Sequence, residues 1–432
     1  MYRVGESLIL SPSDLTAFLA CEHLAGLERL VAFGELERPI RKDPDGDLLA
    51  RQGDDHERAE LARLDAVHGG VVRIEASGSS PEVLRADEQA TLAAMRAGAP
   101  VIYQATFFDG TWRGHADFLF RVETPSDLGS WSYEVADTKL ARRAGASALV
   151  QMACYSEQVA RLQGVWPESM TVIAGDGTNH RFPVAEVTSY VRFAKERLIE
   201  LVTGTDPAET YPKPVSHCRR CPWEEGCDNR RRADDHLSLV ARMRGDQVVK
   251  LERAAVATMS ELARVSSDLP IPGMGASTID RLRHQAALQV AARDDGVLRY
   301  ELLDLTGDGR RGLAGLPLPS PGDLFVDFEG DPWVGEHGLE YLLGVLEGPG
   351  GAGGPGGGRP SVDGSTQEPR YLALWAHDAA GEKAAFEAFV DCIIERLDAD
   401  PAMHVYHYAP YEVQAMKTLM SRHATREAEV DR

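Results

Sequence analysis

The sequence predicts an α/β protein built of more than one domain, and three observations carry that expectation. Residues 101–174 show three strand patterns, a helical pattern and a further strand, a β-β-β-α-β order. Residues 235–293 read as helical throughout, and from about Leu316 strands and helices alternate again. A chain of 432 residues is too long for one ordinary core, while 43% hydrophobic content is enough to fold two or three.

The elements follow from local chemistry. In Ser11-Pro12-Ser13-Asp14 the serine suits a helix N-cap and the proline the first helical position; Leu15, Phe18 and Leu19 supply an apolar face, and Cys21 falls at the helix end. Residues 48–66 read as an amphipathic helix holding Gly53 and His56. Strands are expected at 101–103, 112–122 and 131–140, a helix at 148–162 and a strand at 170–174. Within the helical stretch, 251–263 reads as a short unit resembling the helix-hairpin-helix-like segments of DNA-processing enzymes, with a plain helical linker as the alternative. Further on come strands at 324–329 and 341–346, a glycine-dense excursion over 348–358, a strand at 371–375, a helix at 382–397 and a strand at 403–408. The tail 424–432 is polar and offers no closing core element.

No apolar leader follows Met1 and no apolar run is long enough to span a bilayer, so a soluble cytoplasmic protein with no membrane partner is expected. Six cysteines are too few for a disulfide scaffold, and closely spaced ones in a reducing compartment more often bind metal. Cys154 and Cys392 read as ordinary buried thiols. The net charge of −21 argues against a broadly basic nucleic-acid coat, yet it is compatible with carboxylates that await a divalent cation. Arg142-Arg143, Arg219-Arg220 and Arg230-Arg231-Arg232 flank candidate site residues, either as phosphate contacts or as solvated surface charge.

In Gly114-His115-Ala116-Asp117 an acid sits within a strand, and Asp137-Thr138-Lys139 repeats the arrangement at the end of another. Alternation along a strand puts Asp137 and Lys139 on one face, and a neighbouring strand can bring Asp117 beside them. Two carboxylates can hold Mg2+ or Mn2+, and a lysine can orient a water and oppose charge on a phosphate, which is phosphodiester hydrolysis in outline. His56 could add a nitrogen ligand. Gln151 and Tyr155, four apart on a helix, share a face that could brace the lysine or touch the scissile strand.

These residues, in this order, resemble the RecB-type branch of the PD-(D/E)xK nucleases. Ser11-Pro12-Ser13, Gly53-x-x-His56, Gly114-x-x-Asp117, Asp137-x-Lys139 and Gln151-x3-Tyr155 carry the resemblance over residues 7–232, with Asp137 where many members have Glu. It implies a restriction-endonuclease-like domain over 1–232, in which His56, Asp117 and Asp137 bind metal and Lys139 assists the water. A helical linker over 233–315 and a further α/β domain over 316–432 would follow.

Cys218, Cys221 and Cys227 form C-x2-C-x5-C, which reads as a metal knuckle, with Cys21 far upstream. An early cysteine followed by such a set resembles the iron-sulphur subgroup of these nucleases. The resemblance assigns Cys21, Cys218, Cys221 and Cys227 to a [4Fe-4S] cluster stapling the two ends of the domain, and spacing alone leaves Zn2+ open.

In the last region Asp327-Phe328-Glu329 sets two carboxylates on one face of a buried-looking strand, as two-metal exonucleases require. His407-Tyr408-Ala409-Pro410-Tyr411-Glu412 then resembles the second acidic motif of RNase H-like 3'-5' exonucleases, with Glu412 where that family usually has Asp. The later acidic motifs of that family do not follow before Arg432, so an incomplete RNase H-like domain is expected. The whole order resembles a RecB-like nuclease family in which the iron-sulphur domain precedes an RNase H-like one, with a helicase as partner or further domain. It implies a DNA exonuclease on single strands or duplex ends, in repair, recombination or defence. The alternative is a DNA-end binding or scaffold module with a structural cluster and inactive nuclease sites.

Overall fold

A computed structural model describes residues 1–204, 210–266, 269–302, 312–335, 337–347 and 370–432. The chain divides into two compact units, Met1–Tyr300 and Glu301–Arg432.

The first unit opens with a hairpin, β1 (Tyr2–Val4) and β2 (Ser7–Ile9), and then α1 (Pro12–Ala20). Ser11 caps α1 reciprocally with Asp14: the Ser11 N–H donates to the Asp14 carboxylate at 2.8 Å and the Asp14 N–H reaches the Ser11 hydroxyl. Cys21 ends α1 and precedes α2 (Glu22–Ala32). α3 (Pro44–His68) is capped by Asp43 and stopped by Gly69, whose φ of 70° suits glycine at that position. Then follow β3 (Val72–Arg73), α4 (Pro81–Arg96), β4 (Val101–Phe108), β5 (Arg113–Val122), β6 (Ser132–Lys139), α5 (Ala146–Gln163), β7 (Ser169–Ala174), β8 (Asn179–Pro183) and α6 (Ala185–Thr203).

The sheet order is β3-β4-β5-β6-β7-β8. β4, β5 and β6 form an antiparallel meander, whereas β7 pairs parallel to β6, because α5 carries the chain back across the sheet between them. One face packs Leu15 and Phe18 of α1, Val159 of α5 and Leu198 of α6 against Ile102, Leu119, Val135 and Val172. The other packs Leu61 and Leu64 of α3 against Val101, Phe118, Ala136 and Ile173. The β-β-β-α-β order expected from the sequence is present, flanked by helices on both faces.

After a 3-10 turn at Ser216–Arg220 come α7 (Glu224–Ala233), α8 (Gly245–Arg253), α9 (Met259–Arg264) and α10 (Ala276–Asp295). Residues 235–293 are therefore not helical throughout. Residues 251–263 are the end of α8 and most of α9, split where Ala255 takes a φ of 60° and Thr258 caps α9 with Glu261. Nor is the segment a bare linker: Leu237, Leu251, Met259, Leu262, Ile279 and Leu282 form a core of their own.

The second unit contains β9 (Leu324–Asp331), β10 (Leu339–Glu347), β11 (Tyr371–Trp375), α11 (Ala379–Ala399), β12 (Val405–Tyr406), α12 (Tyr411–His423) and α13 (Glu427–Asp431). Strand order is β11-β10-β9-β12, an antiparallel meander with β12 added parallel to β9. Phe386 and Phe389 of α11 and Leu419 of α12 cover the Leu324, Phe328, Leu343 face. β12 is shorter than the expected strand over 403–408. The tail does close on the core, since Val430 of α13 packs against it. The glycine-dense segment 348–358 lies outside the described residues. Cys392 is half-buried rather than buried, while Cys154 is buried. Among the described residues no helix is long and apolar enough to cross a membrane.

Candidate active site and cysteine centre

Asp117 on β5 and Asp137 on β6 come together. The backbone N–H and hydroxyl of Thr138 both donate to Asp117 Oδ2 at 2.8 Å, fixing that carboxylate beside the end of β6. Asp137 is 1% exposed. The Lys139 ammonium pairs with its Oδ2, an oxygen that otherwise has no hydrogen-bond partner. Burial, and then the charge of Asp137, push the Asp117 carboxyl up to about 7, against the pull of Thr138 and Lys139. The buried Asp137 and the half-buried Asp117 thus compete for too little positive charge, a conflict that a cation relieves.

A third acid, not expected from the sequence, lies near Asp117. Glu57 of α3 accepts a hydrogen bond from Gln104 Nε2 at 2.6 Å, and its carboxyl is pushed up by burial and then by Asp117. Tyr103 is raised to about 12 by burial and then by Glu57. The strand pair is distorted here: Tyr103 and Phe118 face α3, yet Ala105 and Ala116 face α5, and the intervening Gln104 has a φ of 55°. A non-glycine residue in that region stores strain, and such strain is characteristic of functional sites. The signal for Glu57 was its place one turn before Leu61, on the stripe 57-61-64 that packs on the sheet. His56 has its Nε2 3.4 Å from the carbonyl of Ile173 on β7, the residue in register with Thr138 of β6.

Gln151 and Tyr155 do share a face of α5, and Gln151 Nε2 donates to the Tyr155 hydroxyl at 2.9 Å. Tyr155 is 6% exposed, and burial, followed by Asp137 and Asp117, raises its hydroxyl far above the ordinary value. Gly114 explains itself against this ring, because a Cβ there would lie 2.5 Å from Tyr155 Cε1. The glycine three residues before Asp117 is therefore the space that seats Tyr155. Glu134 belongs to a different setting, held by Arg181 and by the Ser169 N–H.

The four cysteines of the expected set line one cavity, together with Leu24, Leu27 and Trp223. The turn is built by Cys218 N–H donating to Val215 O and Cys221 N–H to Cys218 O, both at 3.1 Å, and the Val215 N–H points at Cys218 Sγ. Burial raises the Cys221 thiol and lifts that of Cys227 to about 11; the other thiols of the set add to both shifts. Four soft donors in one cavity are the donor set a thiophilic metal group takes up. Among the described residues no three His, Cys, Asp or Glu side chains close round a single point, so neither centre is a preformed single-ion shell.

Part of the flanking arginine charge is internally spent. Arg230 pairs with Asp234, Arg232 with Asp228, and Arg231 with Asp228 and the Pro212 carbonyl.

In the second unit, Asp327 and Glu329 do share a face of β9, but it is the exposed face rather than a buried one. Glu412, at the start of α12, is 4% exposed, and its Oε2 has no hydrogen-bond partner, the nearest cationic candidate being His407 Nδ1 at 3.5 Å. The Tyr411 hydroxyl donates to Glu340 at 2.9 Å and is raised to about 12 by burial, with Glu340, Glu329 and Glu412 all contributing. Glu340 of β10 thus joins this acidic end of the sheet, a residue not expected from the sequence.

No protein-family model matches the chain, and no curated protein matches it. What the chain is shown to be is a mixed α/β protein of two units with an acid-lysine centre and a four-cysteine cavity in the first.

Proposed function

We propose that the chain is a divalent-metal-dependent deoxyribonuclease of the RecB-type PD-(D/E)xK kind, with a thiolate-ligated [4Fe-4S] cluster in its first unit and an RNase H-like second unit. The observation that carries this reading is the forced approach of Asp117 and Asp137 on neighbouring strands, with Lys139 on the second of them. The meander-helix-parallel strand topology around the pair supports it, as do the four thiols that line one cavity. In the second unit the order β11-β10-β9-β12 supports the RNase H-like reading.

Asp117 and Asp137 would hold Mg2+ or Mn2+, and Glu57 stands near Asp117. Bound there, the cation would polarise the phosphodiester and a water beside it. Thr138 keeps Asp117 turned toward the site. Lys139 neutralises Asp137 in the resting enzyme and can turn to the phosphate when a cation takes over that carboxylate. Tyr155, seated on Gly114, closes the apolar side of the pair. Cys21, Cys218, Cys221 and Cys227 would hold the cluster, which ties the end of α1 to the segment before α7.

Purified protein assayed on labelled single- and double-stranded DNA with Mn2+ tests the reading. Cleavage lost in Lys139→Ala, with folding intact, supports it. DNA binding without cleavage in the wild type would make the chain an end-binding module instead. Equimolar zinc without iron or sulphide would replace the cluster and leave the nuclease reading standing.

A further inference from the structure

The connector between α2 and α3 is bound to the cysteine knuckle through Arg41. Arg41 Nη1 donates to the carbonyl of Cys221 at 2.9 Å and to that of Cys218 at 3.4 Å, and Nη2 donates to that of Arg219 at 2.5 Å. Nη1 also pairs with Glu224 at 2.9 Å. The ion pair is more than one-third exposed on both sides and is worth little by itself. The carbonyl bonds are different, because a planar guanidinium can read three backbone oxygens only if the turn holds its shape.

A second link runs beside the first. Glu28 of α2 accepts from Trp223 Nε1 at 3.0 Å and pairs with Arg38 of the connector. Two residues after Arg41, Asp43 caps α3, whose first turns are largely exposed; its core contacts come at Leu61 and Leu64. Between cap and core lie His56 and Glu57. The chain thus runs from knuckle to Arg41 to cap to the acid that flanks Asp117.

We infer that Arg41 is a positioning residue that ties α3 to the cysteine knuckle, so that the state of the knuckle sets the placement of Glu57 beside the acid pair. The inference rests on the metal reading of both centres. Losing the metal group lets the turn at 216–221 relax and removes the set of carbonyls that Arg41 grips. The connector and the first turns of α3 then loosen, while the sheet keeps its packing.

Hydrogen exchange on the full-length protein tests this in wild type, Arg41→Ala and Arg41→Lys, each as purified and after chelator treatment. Chelation should speed exchange of residues 44–56 severalfold in the wild type. Arg41→Ala should do so without chelation, and chelation should then add little, since both break one link. Arg41→Lys, which keeps the charge but not the planar fork, should behave as Arg41→Ala. Exchange of β5 and β6 should be unchanged, separating local loosening from unfolding. Both variants should raise the Mn2+ concentration for half-maximal cleavage while retaining the rate at saturating Mn2+. Wild-type exchange over 44–56 in Arg41→Ala, or effects of variant and chelator that add independently, would overturn the inference. If the purified protein holds neither iron nor zinc, the cofactor reading fails, and the comparison of Arg41→Ala with wild type still decides whether Arg41 holds α3.

Discussion

The two acidic centres use the same residue types and differ in where the fold puts them. In the first unit Asp137 is 1% exposed, Asp117 is raised to about 7, and a lysine supplies the nearest positive charge. In the second unit Asp327 and Glu329 face solvent, and the buried Glu412 stands at the start of a helix. Water screens the exposed pair, whereas the pair formed by buried Asp137 and half-buried Asp117 has to be compensated largely by protein or ligand. A charge conflict built into a core is costly, and retaining it is the stronger sign of a working site.

The largest expected effect breaks or keeps that contrast directly. Asp137→Ala or Lys139→Ala should each lower Mn2+-dependent DNA cleavage by at least about 100-fold, the scale for removing a group that stabilises charge in the transition state. Asp327→Ala combined with Glu329→Ala should leave cleavage near the wild-type rate. Single-turnover assays on end-labelled DNA read both. The reverse pattern would move the catalytic centre to the second unit.

The cysteines give the next contrast. Cys221→Ser should lower metal content, measured by elemental analysis and absorbance, together with thermal stability, because in the proposed cluster Cys21 and Cys221 would close a very long loop through the metal. Cys392→Ser, half-buried on α11 of the second unit, should change neither.

Asp117 provides a pH test. Its folded value is raised above the unfolded one, so the native state holds the proton more tightly and, without metal, loses stability as pH rises from about 4 to about 7. Asp117→Asn should therefore abolish activity and yet raise the metal-free melting temperature at pH 8, the gain shrinking as pH falls from 7 toward 4. For the wild type, Mn2+ binding near pH 6 should release a proton, measurable by calorimetry in buffers of different ionisation enthalpy. A melting temperature of Asp117→Asn below wild type at pH 8 would mean that Thr138 and Lys139 already compensate the charge.

Period and capping made much of the first unit legible. Ser11, Pro12 and Asp14 announced α1, and the alternation of 112–122 and 131–140 announced β5 and β6 to within a residue or two. The Asp117, Asp137 and Lys139 grouping was legible because alternation places 137 and 139 on one face. Glu57 was not, since it lies on a helix 60 residues away from Asp117 and reaches it only after α3 has packed. The inner role of Gly114 was hidden for the same reason: its partner, Tyr155, arrives on the crossover helix. In the second unit, alternation gave the shared face of Asp327 and Glu329 but not its exposure, which depends on which face α11 and α12 cover. Arg41 carried no pattern at all, as its partners are backbone carbonyls.

The smallest effects should come from two glycines that differ only in what surrounds them. A Cβ at Gly114 would lie 2.5 Å from the Tyr155 ring, and one at Gly330 would lie 2.3 Å from Glu340 Oε2 and 2.8 Å from the Tyr411 hydroxyl. Neither glycine needs a left-handed backbone, so the cost of alanine is set by the neighbours alone. Tyr155 is locked in the core among Phe107, Met152 and Val159 and cannot swing away, so Gly114→Ala should cost about 1–3 kcal/mol, the range for overpacking a filled interior. Glu340 and Tyr411 meet Gly330 with the ends of flexible side chains, and Tyr411 is 46% exposed, so Gly330→Ala should stay within about 0.5 kcal/mol of wild type. Urea titrations of both variants at pH 8 measure the difference. Equal costs would mean that the acidic end of β9 is as tightly packed as the Asp117 centre, and the contrast between the two regions would then rest on charge alone.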